Sequence, residues 1–425
     1  MSFTPHFDLI EELKWRGLHH QHIPGIEEAL STEQITGYVG FDPTADSLHI
    51  GNLVPIILLV HLQRAGHKPI ALVGGATGMV GDPSGKKAER SLLDIDTLNH
   101  NLNCQKKQLE KFLRFEGDNA AEMANNYDWF KDFNFLEFIR DIGKHITVNY
   151  MLAKDSVKNR IDDGISFTEF SYQLVQGYDF YHLYHNNNCK LQMGGSDQWG
   201  NIVTGTELIR RKGGNSAYAI TAPLLTKPDG SKFGKSEGGN VWLDKEKTSP
   251  FIFYQFWKNQ SDAEAERLIK IFTLLDKETI DGLIADHKGN EHLRGLQTRL
   301  AQEATRWVHG EEELQKAEYL SGILYSDDVM GNLRNLDESD FLDVFSGADQ
   351  GSVTEVTGKN IVDVMAESGL TKSKGEAKRA VQANSVAVNR EKVTEDYTFS
   401  EADLIQHKFI LLQKSKKKYF LLTVN

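Results

Sequence analysis

Cysteine is scarce in this chain, occurring only at Cys104 and Cys189. That excludes a disulfide framework and leaves too few thiolates for a zinc ribbon or knuckle. Long apolar runs are missing as well. The longest, Leu53 to Val60, contains Pro55 and falls far short of the roughly 20 residues that span a bilayer. The N-terminal stretch carries Asp8, Glu11 and Glu12 where a secretory signal needs basic and then apolar residues. Excess positive charge is also lacking: 48 Lys and Arg stand against 60 Asp and Glu, a net charge of −12. Such a chain does not attract nucleic acid as a whole, so any RNA site must be a local basic patch. These absences lead us to expect a cytoplasmic enzyme with no membrane partner and no tightly bound metal.

The length of 425 residues, with 40% hydrophobic and 25% charged residues, fits a soluble chain of two or three domains. Residues 35–41 (ITGYVGF) and 69–73 (PIALV) read as short buried strands. Between them Leu53 to Ala65 has helical spacing and closes at Gly66, the position of a C-terminal cap. Strand, helix, strand is a βαβ unit, so a parallel sheet of Rossmann-like α/β type is expected. Ligands of such sheets bind at strand C-termini and helix N-termini, which directs attention to loops 42–52 and 74–86. Beyond residue 249 the pattern turns helical: Ser249-Pro250 opens one helix, Ser261 to Glu264 caps a second, and Leu293, Leu296, Leu300 and Ala304 mark a third, stopped by Gly310. The charge sign then reverses. Asp337, Glu338, Asp340, Asp343, Asp349 and Glu355 precede Lys372, Lys374, Lys378, Arg379, Lys414 and Lys416 to Lys418. An acidic joint followed by a separate small basic domain accounts for that reversal.

Several stretches can carry chemistry, and each has a plainer reading. FDPTADSLHIGN (41–52) places His49 and Gly51 at a helix start, where imidazole can donate to phosphate and glycine lets a nucleotide approach; a capped helix with a surface histidine is the alternative. Lys232 and Lys235 stand three apart in the polar run TKPDGSKFGKSEGGN, able to close over a polyphosphate or to form a solvated basic turn. VGGATGMVGDPSGKK (73–87) is no Walker A loop, since Val80 stands at the first glycine position and Lys87 at that of the Ser or Thr, and it contains no G-x-G-x-x-G dinucleotide fingerprint. Its glycines instead suggest close approach of a ligand, with Asp82 offered to an ammonium, or else an ordinary turn. Tyr172, Gln176 and Asp179 share one helical face, which is either a binding face or a polar surface. Asp197, after glycines at a strand end, suits a ribose or a simple turn.

Taken in order, these strings resemble a known family. His49-Ile50-Gly51-Asn52, followed about 180 residues later by Lys232-Phe233-Gly234-Lys235-Ser236, is similar to the HIGH and KMSKS pair of class I aminoacyl-tRNA synthetases. FDPTADSLHIGN, GGATGMVGDPSGKK, SYQLVQGYDF, QMGGSDQWGN and KFGKS together resemble the bacterial-type tyrosyl-tRNA synthetases over essentially the whole chain. The resemblance implies a ligase that makes tyrosyl-adenylate from L-tyrosine and ATP, with Mg2+ accompanying ATP, and then charges tRNA(Tyr). It implies that Tyr38 and Asp179 bind the phenol hydroxyl and that Asp82, Tyr172 and Gln176 bind the ammonium. Gln192 would support the tyrosine pocket, and Gln198 would lie near the reacting carboxylate. Thr44, His49, Lys232 and Lys235 would stabilise the transferring phosphates. Asp42, Gly51, Asn52, Asp197, Lys235 and Ser236 would complete the ATP site.

The implied organisation is a catalytic domain at 1–226, a loop linker at 227–248, a helical anticodon-binding domain at 249–325, a flexible acidic joint at 326–355 and an α+β RNA-binding domain at 356–425. That last domain resembles the ribosomal-protein S-four type, with Lys372, Lys374, Lys378, Arg379, Lys416 and Lys417 toward tRNA. A homodimer is implied too, with the aromatic segment 127–143 either at the interface or in ordinary core. A tryptophanyl-tRNA synthetase, a nucleotidyltransferase and a scaffold-retaining RNA-binding protein without catalysis are the rival readings. Tyr38 with Asp179 favours a phenol over an indole, and the retained His49, Thr44, Lys232 and Lys235 favour catalysis.

Overall fold

The computed structural model describes residues 3–84, 93–161, 164–226, 230, 233–236, 239–415 and 418–425. The chain divides into two compact units, Met1–Thr248 with Phe256–Gly310, and Ser249–Gln255 with Glu311–Asn425.

The first unit is built on a six-stranded sheet of β1 (Gln21–His22), β2 (Thr36–Phe41), β3 (Lys68–Val73), β4 (Glu122–Asn125), β5 (Cys189–Gly195) and β6 (Tyr218–Ala222). Its spatial order is β1-β6-β5-β2-β3-β4, parallel throughout except for the antiparallel edge strand β1. β2 and β5 lie side by side at the centre, with Tyr38 in register with Gln192. The crossover from β2 to β3 is the Leu53–Arg64 helix, in which ten of twelve residues are buried. It therefore shows almost no polar stripe. Each fully buried Leu or Ile stabilises the fold by about 1.5–3 kcal/mol. Pro55 is its third residue, where a missing N–H costs nothing, and Gly66 ends the crossover at φ +100°. Two further helices cover the sheet, Phe167–Asn187, capped by Ser166, and Trp199–Arg211. They approach closely where glycines meet: a Cβ on Gly205 would lie 2.9 Å from Phe180 Cβ, and one on Gly177 would lie 3.4 Å from Thr204.

After the short hairpin of β7 (Lys235–Ser236) and β8 (Gly239–Asn240), this unit continues with helices Asp262–Phe272, Lys277–His287 and Gly295–His309. Ser261 accepts from the Glu264 N–H, but the Glu264 carboxylate turns to Arg267 instead of completing a capping box. The last helix starts two residues later than the leucine spacing predicts, because Arg294 adopts φ +54° and leaves Leu293 exposed in a 3-10 turn.

The second unit carries helices Glu311–Ile323, Val329–Asn335 and Glu338–Val344, then a five-stranded sheet. Its strands are β9 (Asp349–Val353), β10 (Ala387–Val388), β11 (Glu391–Lys392), β12 (Phe409–Ser415) and β13 (Lys418–Val424), in the order β11-β10-β12-β13-β9. Ile361, Val364, Ala377, Val381, Val386 and Leu422 meet in its core. The basic helix is Lys374–Gln382, capped by Ser373, so Lys372 precedes it. Among the described residues no helix is long and apolar enough to cross a membrane.

Candidate active site

The C-terminal ends of β2, β3 and β5 open onto one polar cleft covered by the Phe167–Asn187 helix. Tyr38, from the middle of β2, is 1% exposed, and its ring meets Phe180 edge-on at 5.5 Å. Its hydroxyl has no hydrogen-bond partner. Neither do Gln192 Oε1 on the adjacent strand or Gln176 Oε1 on the covering helix. Buried polar atoms left unpaired are costly, so a cluster of them marks where a ligand's polar atoms belong.

Asp179, 1% exposed, lies one turn beyond Gln176 on that helix. Its two oxygens accept from Asn126 Nδ2 at 3.1 Å and Trp129 Nε1 at 2.9 Å. Burial pushes its carboxyl up to about 8, against the pull of those two donors. Tyr38 is likewise raised, first by burial and then by the neighbouring Asp179 charge. The hydrogen bonds continue beyond the pocket. Asn126 Nδ2 also donates to Thr77 Oγ1 at 3.1 Å, and Thr77 Oγ1 donates to Asp42 Oδ1 at 2.8 Å. Asp42 Oδ2 accepts from Tyr172 Oη at 2.9 Å. Asp42, expected on the ATP side, thus joins the far end of the amino-acid pocket. The Tyr172 hydroxyl is held high by burial and by Asp42, Asp82 and Asp179 in turn. Carboxylates converging on one spot favour a cation there.

Asp82 accepts from Gln198 Nε2 at 2.8 Å, from the Ser84 N–H at 3.0 Å and from Asn201 Nδ2 at 3.3 Å. Gln198 and Asp82, expected at the carboxylate and the ammonium that share one α-carbon, are in direct contact. Asp197 is exposed beside them at the end of β5. The glycines of the β3 loop were expected to let a ligand approach. At Gly74 the space is already filled, because a Cβ there would lie 2.3 Å from Thr77 Oγ1 and 2.4 Å from Asp42 Oδ1. That glycine admits the internal hydrogen bond.

The two motif strings meet at the other end of the cleft. His49 caps the Ile50–Asn52 turn: its Nδ1 accepts from the Gly51 N–H at 3.0 Å, while Asn52 Oδ1 accepts from the His49 N–H at 3.0 Å. With Nδ1 an acceptor, the neutral ring carries its proton on Nε2. Asn52, which departs from a second histidine, is here the reciprocal half of a capping box. A Cβ on Gly51 would stand 2.8 Å from His49 Cε1, so the ring's position requires glycine. Backbone pairs hold the second string on the first: the Ile50 N–H donates to Val241 O at 2.9 Å, and the Val241 N–H donates to Gly234 O at 3.1 Å. Gly234 has φ +89°, and a Cβ on it would lie 3.2 Å from Gly51 N. Thr44 is exposed in the loop between β2 and His49. Lys235 and Ser236 are placed by their backbone in the β7–β8 hairpin. Lys232, like Lys416 and Lys417, lies outside the described residues.

In the second unit Lys374 pairs with Asp363 at 2.8 Å, Lys378 with Glu395, and Lys414 with Glu376. The Lys372 N–H also donates to Glu376. Among the described residues no group of three or more His, Cys, Asp or Glu is arranged to hold a metal ion.

Sequence reasoning missed Asn126, Trp129 and Thr77, which hold Asp179 and Asp42 in place. Trp129 lies in the aromatic stretch read as either interface or ordinary core, and no spacing ties it to a helix face some fifty residues on. Asn201 was within reach, since it sits one turn after Gln198 on the same helical start.

Known proteins resemble this chain closely. The family of class I tRNA synthetases for tryptophan and tyrosine matches residues 30–325, and a tyrosine–tRNA ligase SYY-like C-terminal domain matches residues 340–422. The tyrosine–tRNA ligase of Flavobacterium psychrophilum is 60% identical over 98% of this chain and 99% of its own length. That of Bacteroides fragilis is 57% identical over 98% and 99%. The solved structure of a C-terminally truncated mitochondrial tyrosyl-tRNA synthetase from Aspergillus nidulans, 31% identical, covers 75% of this chain and 94% of its own, with a TM-score of 0.67.

Proposed function

Because the chain belongs to the tyrosine–tRNA ligases of the class I tRNA synthetase family, we propose that it activates L-tyrosine with ATP and transfers the tyrosyl group to tRNA(Tyr). The observation that carries this reading is the set of unpaired buried atoms, Tyr38 Oη, Gln176 Oε1 and Gln192 Oε1, around Asp179. A phenol needs both a donor and an acceptor at the floor of its pocket, and Tyr38 with Asp179 supplies them. Asp82, Tyr172 and Gln176 take the ammonium, which the converging carboxylates favour. Gln192 supports the pocket wall between Tyr38 and the strand end.

The tyrosine carboxylate is already ionised, so no general base is needed. One of its oxygens forms a bond to the α-phosphorus as the bond from that phosphorus to pyrophosphate breaks, and the electron pair leaves with pyrophosphate. Catalysis is then positioning plus stabilisation of charge on the leaving group. Gln198 orients the reacting carboxylate and α-phosphate, and Asp197 takes the ribose. Gly51, Asn52 and Ser236 line the nucleotide, and Asp42 fixes Tyr172 at the boundary of the two substrates. His49 Nε2, Thr44, Lys232 and Lys235 meet the phosphates, with Mg2+ arriving on ATP.

In this reading Lys372, Lys374, Lys378, Arg379, Lys416 and Lys417 face tRNA from the 356–425 domain. The helical domain at 249–325 takes the anticodon, the acidic stretch at 326–355 is structured, with helices Val329–Asn335 and Glu338–Val344 and with β9 paired to β13 of the RNA-binding domain's sheet, and 1–226 with the 227–248 loop does the chemistry. The active form is a cytoplasmic homodimer. Support for pairing comes from an apolar groove of about 820 Å³ lined by Phe135, Phe138, Ile139, Val148 and Phe167. Phe135 is 63% exposed and the adjoining Leu136 72%, and contiguous exposed apolar surface marks an interaction site.

Amino-acid-dependent exchange of pyrophosphate into ATP tests the proposal. Tyrosine should support exchange while tryptophan and phenylalanine do not. Exchange driven by tryptophan, or none with any amino acid, would refute it.

A further inference from the structure

The second motif string is seated on a box of aromatic rings. Phe233 is 6% exposed. Its ring stacks on Phe272 at 5.6 Å and 17°, meets Phe256 edge-on at 5.6 Å, and lies 6.0 Å from Trp257. Trp257 and Phe272 pack together at 4.9 Å. The next residue, Gly234, rests on the Gly51 backbone. The chain is therefore held at Phe233 by the rings and at Gly234 by the first motif.

Phe272 is the last residue of the Asp262–Phe272 helix, whose final carbonyls lack partners within the helix. Arg16, from the N-terminal helix Leu9–Arg16, binds one of these carbonyls and two in the chain just beyond the helix end. Its Nη1 donates to Lys270 O at 2.7 Å and Thr273 O at 2.8 Å, and its Nη2 to Leu275 O at 2.6 Å. Its Nε pairs with Glu12 Oε1 at 2.7 Å. The Arg16 side chain is wholly buried. A buried guanidinium is tolerated only when its donors are satisfied, and at a helix C-terminus the positive charge also meets the negative end of the dipole. Leu9, Ile10 and Leu13 already bury the apolar face of the N-terminal helix, so packing of that helix does not explain the cation.

We infer that Phe233 and Arg16 are positioning residues for adenylate formation: Phe233 seats the lysine-bearing loop on the His49–Asn52 turn, and Arg16 fixes the helix end on which Phe233 rests. The inference rests on the reading of Lys232 and Lys235 as the residues that meet the phosphates. Phe233 and Arg16 are buried, 6% and 2% exposed, and act through the residues packed on them. Their effect is on where the lysines lie when the α-phosphate is attacked, and a misplacement of about 1 Å costs on the order of 10²-fold in rate.

The test is the rate of tyrosyl-adenylate formation by full-length Phe233→Leu, Phe233→Met, Arg16→Gln, Arg16→Lys and Lys235→Ala, each at a temperature where its folding is verified by circular dichroism. Phe233→Leu and Arg16→Gln should slow adenylate formation on the order of 10²-fold with the KM for tyrosine unchanged. Methionine, long enough to fill the box, should recover most of the rate at position 233. Lysine, keeping charge and donors but not the planar fork, should recover part of it at position 16. A purely structural role would lower the melting temperature and leave the rate of the folded enzyme intact, which would overturn the inference. If Arg16→Gln fails to fold, Phe233→Leu decides alone, since it keeps every Arg16 hydrogen bond. A slow Lys235→Ala beside a normal Phe233→Leu removes only the inference. A normal Lys235→Ala removes the reading beneath it.

Discussion

Replacing Tyr38 by phenylalanine should move stability and substrate selection in opposite directions. The Tyr38 hydroxyl is buried and has no hydrogen-bond partner within the protein, so the folded protein bears the desolvation cost of that group, about 1–3 kcal/mol. Phenylalanine keeps the ring and its edge contact with Phe180 at 5.5 Å, and it leaves no void beyond one oxygen. The unliganded variant should therefore melt a few degrees higher, taking about 1–2 °C per kcal/mol for a unit of roughly 300 residues. Tyrosine would lose one neutral hydrogen bond, about 0.5–1.5 kcal/mol, or about 2–13-fold in kcat/KM. Phenylalanine has no hydroxyl to lose, so the preference for tyrosine over phenylalanine should narrow by that same factor. Differential scanning fluorimetry without ligand, paired with pyrophosphate exchange on both amino acids, measures the two effects on one preparation. A lower melting temperature would mean the hydroxyl is satisfied in solution. An unchanged selectivity ratio would mean that it does not face the phenol.

Three further outcomes follow from the same geometry. Because Asp179 is raised from 3.8 to about 8, the folded state binds the extra proton between those values, and its stability should fall as pH rises across that window and level off above it. The slope should be at most about 1.4 kcal/mol per pH unit, and Asp179→Asn should flatten it in urea titrations; parallel profiles for the two proteins would exclude the assignment. Leu136→Asp combined with Phe135→Asp places charge on the apolar groove and should halve the sedimenting mass, whereas an unchanged mass would mean the groove is not the subunit interface. Lys374→Glu with Lys378→Glu should leave pyrophosphate exchange intact, raise the KM for tRNA, and make tRNA binding shallower in salt by about one unit of slope per lost phosphate contact; an unaltered salt slope would remove these lysines from the RNA face.

How much of this was legible in the sequence depended on how local the determinant is. The strand read at 35–41 is observed at Thr36–Phe41, and that read at 69–73 is observed at Lys68–Val73, because a buried parallel strand declares itself in a few consecutive apolar residues. The face shared by Tyr172, Gln176 and Asp179 followed from helical period alone. Residues that hold other residues left no such trace. Asn126 and Trp129 reach Asp179 across 53 and 50 positions, and Arg16 reaches the carbonyl of Thr273 across 257. The glycines mislead for a related reason. Gly74 and Gly234 are legible as places where no Cβ fits, but what fills the space is a hydrogen bond from Thr77 to Asp42 in one case and the Gly51 backbone in the other. A glycine in a strand-end loop reports close approach without saying whether ligand or protein approaches. Deciding that requires a partner distant in sequence, and so the pocket wall could be read from its motifs while the shell that fixes the wall could not.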